Sequence, residues 1–304
     1  MRLSAEVSSA LDAGRAVVAL ESTILAHGLP PGRNRAVAAR LEDVVRAAGA
    51  VPATIAVLAG EPVVGLTDAE LDRVCDPDAG LVKLSRRDLA PALALGRDGA
   101  TTVAATAALA ARAGIRVFAT GGLGGVHRGA ASSFDVSADL DVLAGTPVLV
   151  VCSGVKSVLD IGATLEALET RSVPVLGFGT DTFPAFYLRE SPYPAPWRVD
   201  TAEQAAAVAT AHLAGGTGGL LLANPVPAAA EMPRALHDRL LADGLALLTE
   251  RGVTGKDVTP VLLEHFHTAS AGVSLDTNEE LVVANATLAA AVAVALAGWA
   301  GRMG

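Results

Sequence analysis

The chain has 304 residues, of which 51% are hydrophobic and only 3% aromatic, so Ala, Val and Leu must fill the core. Its formal net charge of −9 argues against a nucleic-acid partner, because phosphate contacts require clustered Lys and Arg. The two cysteines, Cys75 and Cys152, provide no disulfide framework, and they predict a reducing, cytoplasmic location.

Short apolar runs alternate along the chain with longer Ala-rich segments of helical period. The runs predict strands at residues 16–20, 54–59, 81–84, 116–119, 148–152, 173–178 and 219–223. The segments predict helices at residues 35–48, 101–113, 158–169, 202–214, 233–250, 258–267 and 279–297. Unbroken apolar strands are covered on both faces, and helices between them connect parallel neighbours. The expected fold is therefore α/β, a three-layer α/β/α single domain over residues 1–304, with a central, mainly parallel sheet.

One segment, residues 281–300, raises the question of a membrane. It consists mostly of Ala and Val, and Asn285 interrupts it. A spanning helix needs about 20 predominantly apolar residues, and alanine contributes little to insertion. The N-terminal sequence MRLSAEV has no apolar core of the kind found in signal peptides. We therefore expect a buried helix in a soluble protein that does not bind membranes.

Ligands of an open parallel sheet bind at the carboxyl ends of its strands. The polar residues at these positions are Glu21, Ser22, Thr23, Lys83, Ser85, Thr120, Ser153, Lys156 and Asn224. Two common signatures fail nearby. His127 stands where a dinucleotide fingerprint beginning at Gly122 needs its third glycine, and no cysteine cluster supports a zinc site.

Lysine is rare in this chain, since only Lys83, Lys156 and Lys256 among 23 Lys and Arg residues are lysine. A lysine can lose its proton when desolvated and form a Schiff base, whereas arginine stays charged. Lys156 follows a buried strand and precedes a helix expected to start near Ser157, where the helix dipole disfavours an ammonium. Lys156 is therefore the candidate nucleophile, while Lys256 is interpreted as structural.

Ten short motifs follow one another over essentially the whole chain. They are ALESTILAHGLP (19–30), PATIAVL (52–58), KLSRRDL (83–89), GATTVAAT (99–106), FATGGLGGVHRGA (118–130), FDVSADL (134–140), VCSGVKSVLD (151–160), FPAFY (183–187), NPVP (224–227) and GKDVTP (255–260). In this order they resemble the pseudouridine-5′-phosphate glycosidase family. The resemblance implies reversible cleavage of the C–C glycosidic bond of pseudouridine 5′-phosphate to uracil and ribose 5-phosphate.

The resemblance also implies roles for individual residues. Lys156 would be the nucleophile that forms a Schiff base with ribose, Glu21 the proton donor, and Asp135 the ligand of one Mn²⁺ or Mg²⁺ per subunit. The substrate-binding positions implied are Lys83, Val103, Thr120, His127, Ser137, Ala138, Asp139 and Asn278. Lys83 would contact the phosphate. Homotrimers are expected, with the Ala-rich C-terminal helix offering an apolar contact surface.

Several residues also have ordinary structural interpretations. Glu21 can be a capping or salt-bridging carboxylate, although its place after an apolar strand predicts a raised pKa. Asp135 and Ser137 can form a turn or a helix N-cap, and His127 can bond to backbone. Glu279 and Glu280 replace the apolar residues that usually follow the family's asparagine, which could alter substrate preference.

Two other functions remain open on the sequence. One is a Schiff-base lyase acting on another C-nucleoside or phosphosugar, and the other is a phosphosugar-binding protein without turnover.

Overall fold

The computed structural model describes residues 1–253 and 258–303, except the side chains of residues 259, 260 and 299–303. Lys256 lies outside the described residues. The strands are β1 Arg2–Leu3, β2 Val17–Leu20, β3 Val51–Leu58, β4 Glu61–Val64, β5 Val82–Leu84, β6 Gly99–Thr101, β7 Val117–Ala119, β8 Leu149–Cys152, β9 Val175–Phe178, β10 Trp197–Val199 and β11 Leu220–Ala223. The helices are α1 Ala5–Asp12, α2 Arg33–Ala47, α3 Asp68–Cys75, α4 Leu89–Ala94, α5 Val103–Arg112, α6 Ala130–Ser133, α7 Ala138–Ala144, α8 Ile161–Thr170, α9 Ala202–Leu213, α10 Arg234–Arg251, α11 Val258–Ala269 and α12 Val273–Met303.

The strands form one sheet in the order β1-β4-β3-β2-β7-β8-β11-β9-β10. From β3 to β10 every neighbouring pair is parallel. Strands β2, β8 and β11 are buried along their whole length, as strands covered by helices on both faces must be. The prediction of a mainly parallel α/β/α sheet is confirmed.

Strand β3 belongs to two parts of the sheet. Its first half, from Val51 to Thr54, pairs in parallel with β2. Its second half pairs antiparallel with β4, and Ala56 and Val57 also pair antiparallel with β6. Strand β5 then continues from β6 in parallel. Because all eight residues of β3 are buried, this strand rigidly connects the end of β2 to the short β5–β6 pair.

Helices cover both faces of the sheet. Helix α12 packs on β2, β7 and β8 and also contacts α2 and α9, whereas α5 packs on β2 and β3 and contacts α7. Small side chains permit this close packing, since seven of the ten residues of α5 are buried and most of these are Ala. Thr102 caps α5 by accepting a hydrogen bond from the amide of Ala105.

Among the described residues, one helix is long and apolar enough to cross a membrane, with a window at Val273–Gly298 of mean hydropathy 2.1. Sixty-one per cent of that window is buried inside the protein, in agreement with the expected core helix. Its apolar face is therefore mostly occupied within the chain. A contact of α12 with another subunit stays a prediction.

The predicted elements are found, with shifted ends, and four strands and five helices (α1, α3, α4, α6 and α7) are added. Strands β1, β4, β6 and β10 have two to four residues each, too short to give a hydrophobic pattern. Two helix starts were wrong. Helix α8 starts at Ile161 and not near Ser157, because the Asp160 side chain caps it by accepting from the amide of Ala163 at 3.0 Å. Helix α12 starts at Val273, before the predicted residue 279.

Candidate active site

A cavity of about 460 Å³ lies at the carboxyl ends of the central strands. Nine of the eleven residues expected at the site line it, namely Glu21, Lys83, Val103, His127, Asp135, Ser137, Ala138, Asp139 and Lys156. Thr23, Ser85, Arg87, Thr102, Gly124, Val136 and Leu159 complete the lining. The two expected residues outside the lining are Thr120 and Asn278.

Glu21 directly follows β2, and its carboxylate faces the cavity. Burial raises the pKa of Glu21 above its ordinary value, while the positive charge of Lys156 and a hydrogen bond from Thr120 act in the opposite direction. The Thr120 hydroxyl donates to Oε1 of Glu21. Burial prevails, so this carboxyl group keeps its proton to a higher pH than a solvated one does. That property suits a general acid.

Lys156 lies in the turn between β8 and α8. Its amide donates to the carbonyl of Leu123 at 3.3 Å, and its carbonyl accepts from the amide of Leu159 at 2.9 Å. Gly154 lies in this turn at φ +80°, a backbone conformation that favours glycine. A Cβ at this position would also collide with the carbonyl oxygen of Pro184. Since α8 starts only at Ile161, the argument that a helix N-terminus acts on Lys156 was wrong. Lys156 does line the same cavity as Glu21.

The glycine-rich loop after β7 forms one wall of the cavity, and Asp139 holds it. One carboxylate oxygen of Asp139 accepts from the amide of Gly124 and the other from the amide of Ala104, both at 2.9 Å. A Cβ on Gly124 would collide with Oγ of Ser137 and lie 2.6 Å from Asp139 Oδ2. Ser137 caps α7 by accepting from the amide of Asp139. The N-cap interpretation therefore holds for Ser137.

Asp135 and His127 face each other in the cavity, with Oδ2 of Asp135 3.7 Å from Nδ1 of His127. Burial lowers the pKa of His127 and the Lys156 charge lowers it further, while Asp135 raises it. The described residues contain no group of three or more His, Cys, Asp or Glu side chains that could hold a metal. A single carboxylate suits Mn²⁺ or Mg²⁺, which keep water and substrate oxygens as ligands, and does not suit zinc.

Part of the cavity lining is cationic. Lys83 of β5 lines the cavity together with Ser85 and Arg87, and Thr102 and Val103 present the N-terminus of α5 to it. Backbone amides at a helix N-terminus bind anions. Sequence reasoning missed Arg87 and Thr102 as lining residues. The signal available for Arg87 was the polar run KLSRRDL, which continues beyond the end of β5.

Thr120 and Asn278 lie outside the cavity lining and contact residues that form the cavity wall. Thr120 is fully buried and reaches Glu21 through its hydroxyl. Asn278 of α12 is 5% exposed, and its Oδ1 has no hydrogen-bond partner. A Cβ on Gly121 would lie 3.5 Å from that oxygen, so Asn278 packs against the glycine-rich loop and its substrate contact stays a prediction.

The neighbouring acidic pair has a structural role. Glu279 bonds to Arg33 and Glu280 to Arg40, both at 2.6 Å. These ion pairs attach α12 to α2 outside the cavity.

Comparison with known proteins identifies relatives over the whole length. A family described as indigoidine synthase A like protein matches residues 6–295. A pseudouridine-5′-phosphate glycosidase from Salinispora tropica is 58% identical over 299 residues, covering 98% of this chain and 92% of that protein. The protein of the same name from Streptomyces griseus is 56% identical, covering 97% and 92%.

Two solved structures share the fold. The prealnumycin C-glycosynthase AlnA, in complex with ribulose 5-phosphate, has a TM-score of 0.92 at 40% identity and covers 99% of this chain and 98% of that one. An indigoidine synthase A-like protein from Thermotoga maritima has a TM-score of 0.87 at 35% identity, covering 97% and 96%. The predicted resemblance is thus confirmed, and the chain belongs to the pseudouridine-5′-phosphate glycosidase family of indigoidine synthase A like proteins.

Proposed function

We propose that this protein catalyses the reversible cleavage of pseudouridine 5′-phosphate to uracil and ribose 5-phosphate, with Lys156 as nucleophile and Glu21 as proton donor. One observation carries the assignment of roles. Glu21 and Lys156 line the same cavity, close enough for the lysine charge to act on the carboxyl pKa. Relatives that are 58% and 56% identical bear the name of this activity.

The chemistry requires an amine because uracil is bonded to ribose through carbon. Nζ of Lys156 displaces O4′ from C1′, and the proton lost from nitrogen passes to O4′ as the ring opens. The nitrogen lone pair then forms the C1′=N bond while the C1′–C5 electrons move to uracil C5. Glu21 gives C5 its proton. Water hydrolyses the Schiff base, which releases ribose 5-phosphate, frees the amine and returns a proton to Glu21.

The cationic part of the cavity lining is proposed to bind the sugar phosphate. Lys83 supplies a point charge, Ser85 and Thr102 supply hydroxyls, and Arg87 supplies a guanidinium. The α5 N-terminus adds oriented amides. These groups come from β5, from the turn after it, and from the start of α5, whereas Glu21 and Lys156 follow β2 and β8. Binding and chemistry are therefore carried by different strands.

A divalent cation, Mn²⁺ or Mg²⁺, is proposed to be held by Asp135. When bound it would polarise an oxygen of the substrate. His127, whose lowered pKa favours the neutral imidazole, would orient the Asp135 carboxylate.

We also propose that the protein is a cytoplasmic homotrimer. Cys75 and Cys152 are free and buried, as befits a reducing compartment. Exposed apolar side chains such as Trp197, at 69% exposure, lie away from the cavity and offer a contact surface. Light scattering of the purified protein measures the number of subunits.

The decisive experiment runs the reaction in the synthetic direction. Purified protein is incubated with uracil, ribose 5-phosphate and Mn²⁺, and pseudouridine 5′-phosphate is sought by mass spectrometry. Borohydride is then added with ribose 5-phosphate alone, and an adduct is expected on Lys156. An adduct without pseudouridine 5′-phosphate would favour a lyase for another C-nucleoside. The absence of both would favour a binding protein.

A further inference from the structure

Asn285 is a buried polar residue in the most apolar helix of the protein. It lies on α12, is fully buried, and faces the carboxyl ends of β7, β8 and β11. Its Nδ2 donates to the carbonyl of Thr120 at 2.9 Å and to that of Gly121 at 3.3 Å. Its Oδ1 accepts from Nδ2 of Asn224 at 3.0 Å. The Ser153 hydroxyl lies 3.1 Å from Nδ2 and 3.3 Å from Oδ1.

This group, which we call the Asn285 hub, consists of Asn285, Asn224, Ser153 and the carbonyls of Thr120 and Gly121. The two carbonyls lie just beyond the end of β7 at Ala119. Buried carbonyls require donors, and Asn285 supplies them from a helix whose neighbouring side chains are almost all apolar. A buried amide costs free energy unless it is satisfied, and this one is satisfied at both of its polar atoms.

The hub connects to both proposed reacting groups through short hydrogen-bonded paths. The carbonyl of Thr120 accepts a hydrogen bond from Asn285, and the hydroxyl of Thr120 donates one to Glu21. On the other side, the amide of Ser153 donates to the carbonyl of Gly121 at 2.9 Å. The turn that follows is fixed by bonds from Leu123 to the carbonyl of Gly154 at 3.0 Å and from Lys156 to Leu123 at 3.3 Å.

We propose that Asn285 is a positioning residue, which fixes the placement of Glu21 relative to Lys156 without contacting the substrate. The inference rests on the proposed roles of those two residues. Asn285 does not line the cavity, and neither do its hydrogen-bond partners Thr120, Gly121, Ser153 and Asn224. Its removal should therefore act on the chemical step and spare phosphate binding.

The test replaces Asn285 by leucine, which has a similar size but no amide. A displacement of about 1 Å at a reacting group costs on the order of 100-fold in rate. We expect kcat to fall about 100-fold in Asn285→Leu, with the rate of borohydride trapping falling in parallel. The KM for ribose 5-phosphate should stay within about twofold of wild type. The limb of the pH–rate profile that reports Glu21 should also move, because the Thr120 hydroxyl is no longer held.

Asn34→Leu is the matched control. Asn34 is also buried, at 3% exposure, and its Nδ2 donates to the carbonyls of Leu25 and Cys75 at 2.9 and 2.8 Å. It does not line the cavity. Its replacement should lower the melting temperature to a comparable degree while changing kcat by less than about threefold. The positioning role is overturned if Asn34→Leu lowers kcat as much as Asn285→Leu does at a similar loss of melting temperature. It is also overturned if Asn285→Leu keeps the wild-type kcat.

Ser153→Ala keeps the test decisive if Asn285→Leu cannot be recovered folded. It removes one hydroxyl of the hub and leaves the amide of Asn285 its carbonyl partners. We expect kcat to fall between about threefold and tenfold at constant KM, and an unchanged kcat would overturn the inference. Failure of the wild-type protein to form a Lys156 adduct would instead contradict the proposed function, so the two failures are distinguishable.

Discussion

The hydroxyl of Thr120 donates a hydrogen bond to the carboxylate of Glu21, and it does so from a fully buried position behind the cavity. This bond favours the ionised carboxylate, whereas burial favours the protonated one. The pKa of Glu21 is thus set by opposing effects of burial and of the surrounding side chains.

Changing Thr120 to valine should move the pH dependence of cleavage. Glu21 acts as an acid, so the rate falls as the pH rises through its pKa. Removing a hydrogen bond to the charged form raises that pKa further. The alkaline limb of kcat/KM should therefore move to higher pH. Thr277→Val, which removes a buried hydroxyl bonded to the carbonyl of Ala230, should leave the limb in place, and a limb unmoved in Thr120→Val would contradict this coupling.

Replacing Lys156 by arginine should abolish turnover and keep the fold. Arginine stays protonated and cannot form a Schiff base, so we expect kcat to fall by at least about 10³-fold. The borohydride adduct with ribose 5-phosphate should vanish from the intact mass spectrum. The melting temperature should change little, since Lys156 is only partly buried. Cleavage at the wild-type rate would refute the assignment of the nucleophile.

Lys83→Gln should weaken binding of the phosphate. A charge-assisted hydrogen bond is worth about 1.5–3 kcal/mol, so the KM for ribose 5-phosphate should rise at least about tenfold. The matched control is Arg86→Gln, because Arg86 is exposed and does not line the cavity. Its KM should remain near the wild-type value. Equal effects of both changes would indicate a general loss of positive charge and no specific phosphate contact.

Asp135→Asn should raise the Mn²⁺ concentration that gives half-maximal activity. Neutralising a carboxylate ligand of a hard cation is expected to cost at least about tenfold in apparent affinity. Asp141→Asn provides the comparison, because Asp141 is exposed and bonded to Arg171 outside the cavity. Activity titrated with Mn²⁺ after chelation measures both. An unchanged titration for Asp135→Asn would place the cation elsewhere.

Gly124→Ala should distort the loop between the cavity and α7. The added methyl group would collide with Ser137 and Asp139, and over-packing of this kind costs about 1–3 kcal/mol in the free energy of unfolding. Gly145→Ala adds the same methyl group at ordinary contact distance, 3.7 Å from its nearest neighbour. Denaturant unfolding should show a loss for the first change and almost none for the second.

The sequence was sufficient to predict the central sheet because its strands carry unbroken apolar runs. It was not sufficient for β6, whose three residues, Gly99–Thr101, carry no periodic signal. The start of α8 was misplaced because two polar residues, Ser157 and Asp160, could each begin a helix. Only the three-dimensional contacts select Asp160, since the hydroxyl of Ser157 donates to the carbonyl of Ala185 instead.

The candidate site was predicted through motifs, and its supporting contacts were not. Glu21, Asp135 and Lys156 stand out as polar residues at strand ends or in recognisable runs. Asn285 was visible as an interruption of an apolar segment, but its partners are 61 to 165 positions away along the chain. Pairings at such separations follow from the topology and leave no local trace in the sequence.

Strand β3 has a consequence for the size of the substrate. Because it pairs with β2 along one half and with β6 along the other, it fixes the separation between the end of β2 at Glu21 and the proposed anchor for the phosphate. A sugar chain one carbon longer or shorter than ribose would hold its anomeric carbon out of line with the lysine, even when its phosphate is fully bound. Selectivity for five-carbon sugars would then be a property of the sheet itself.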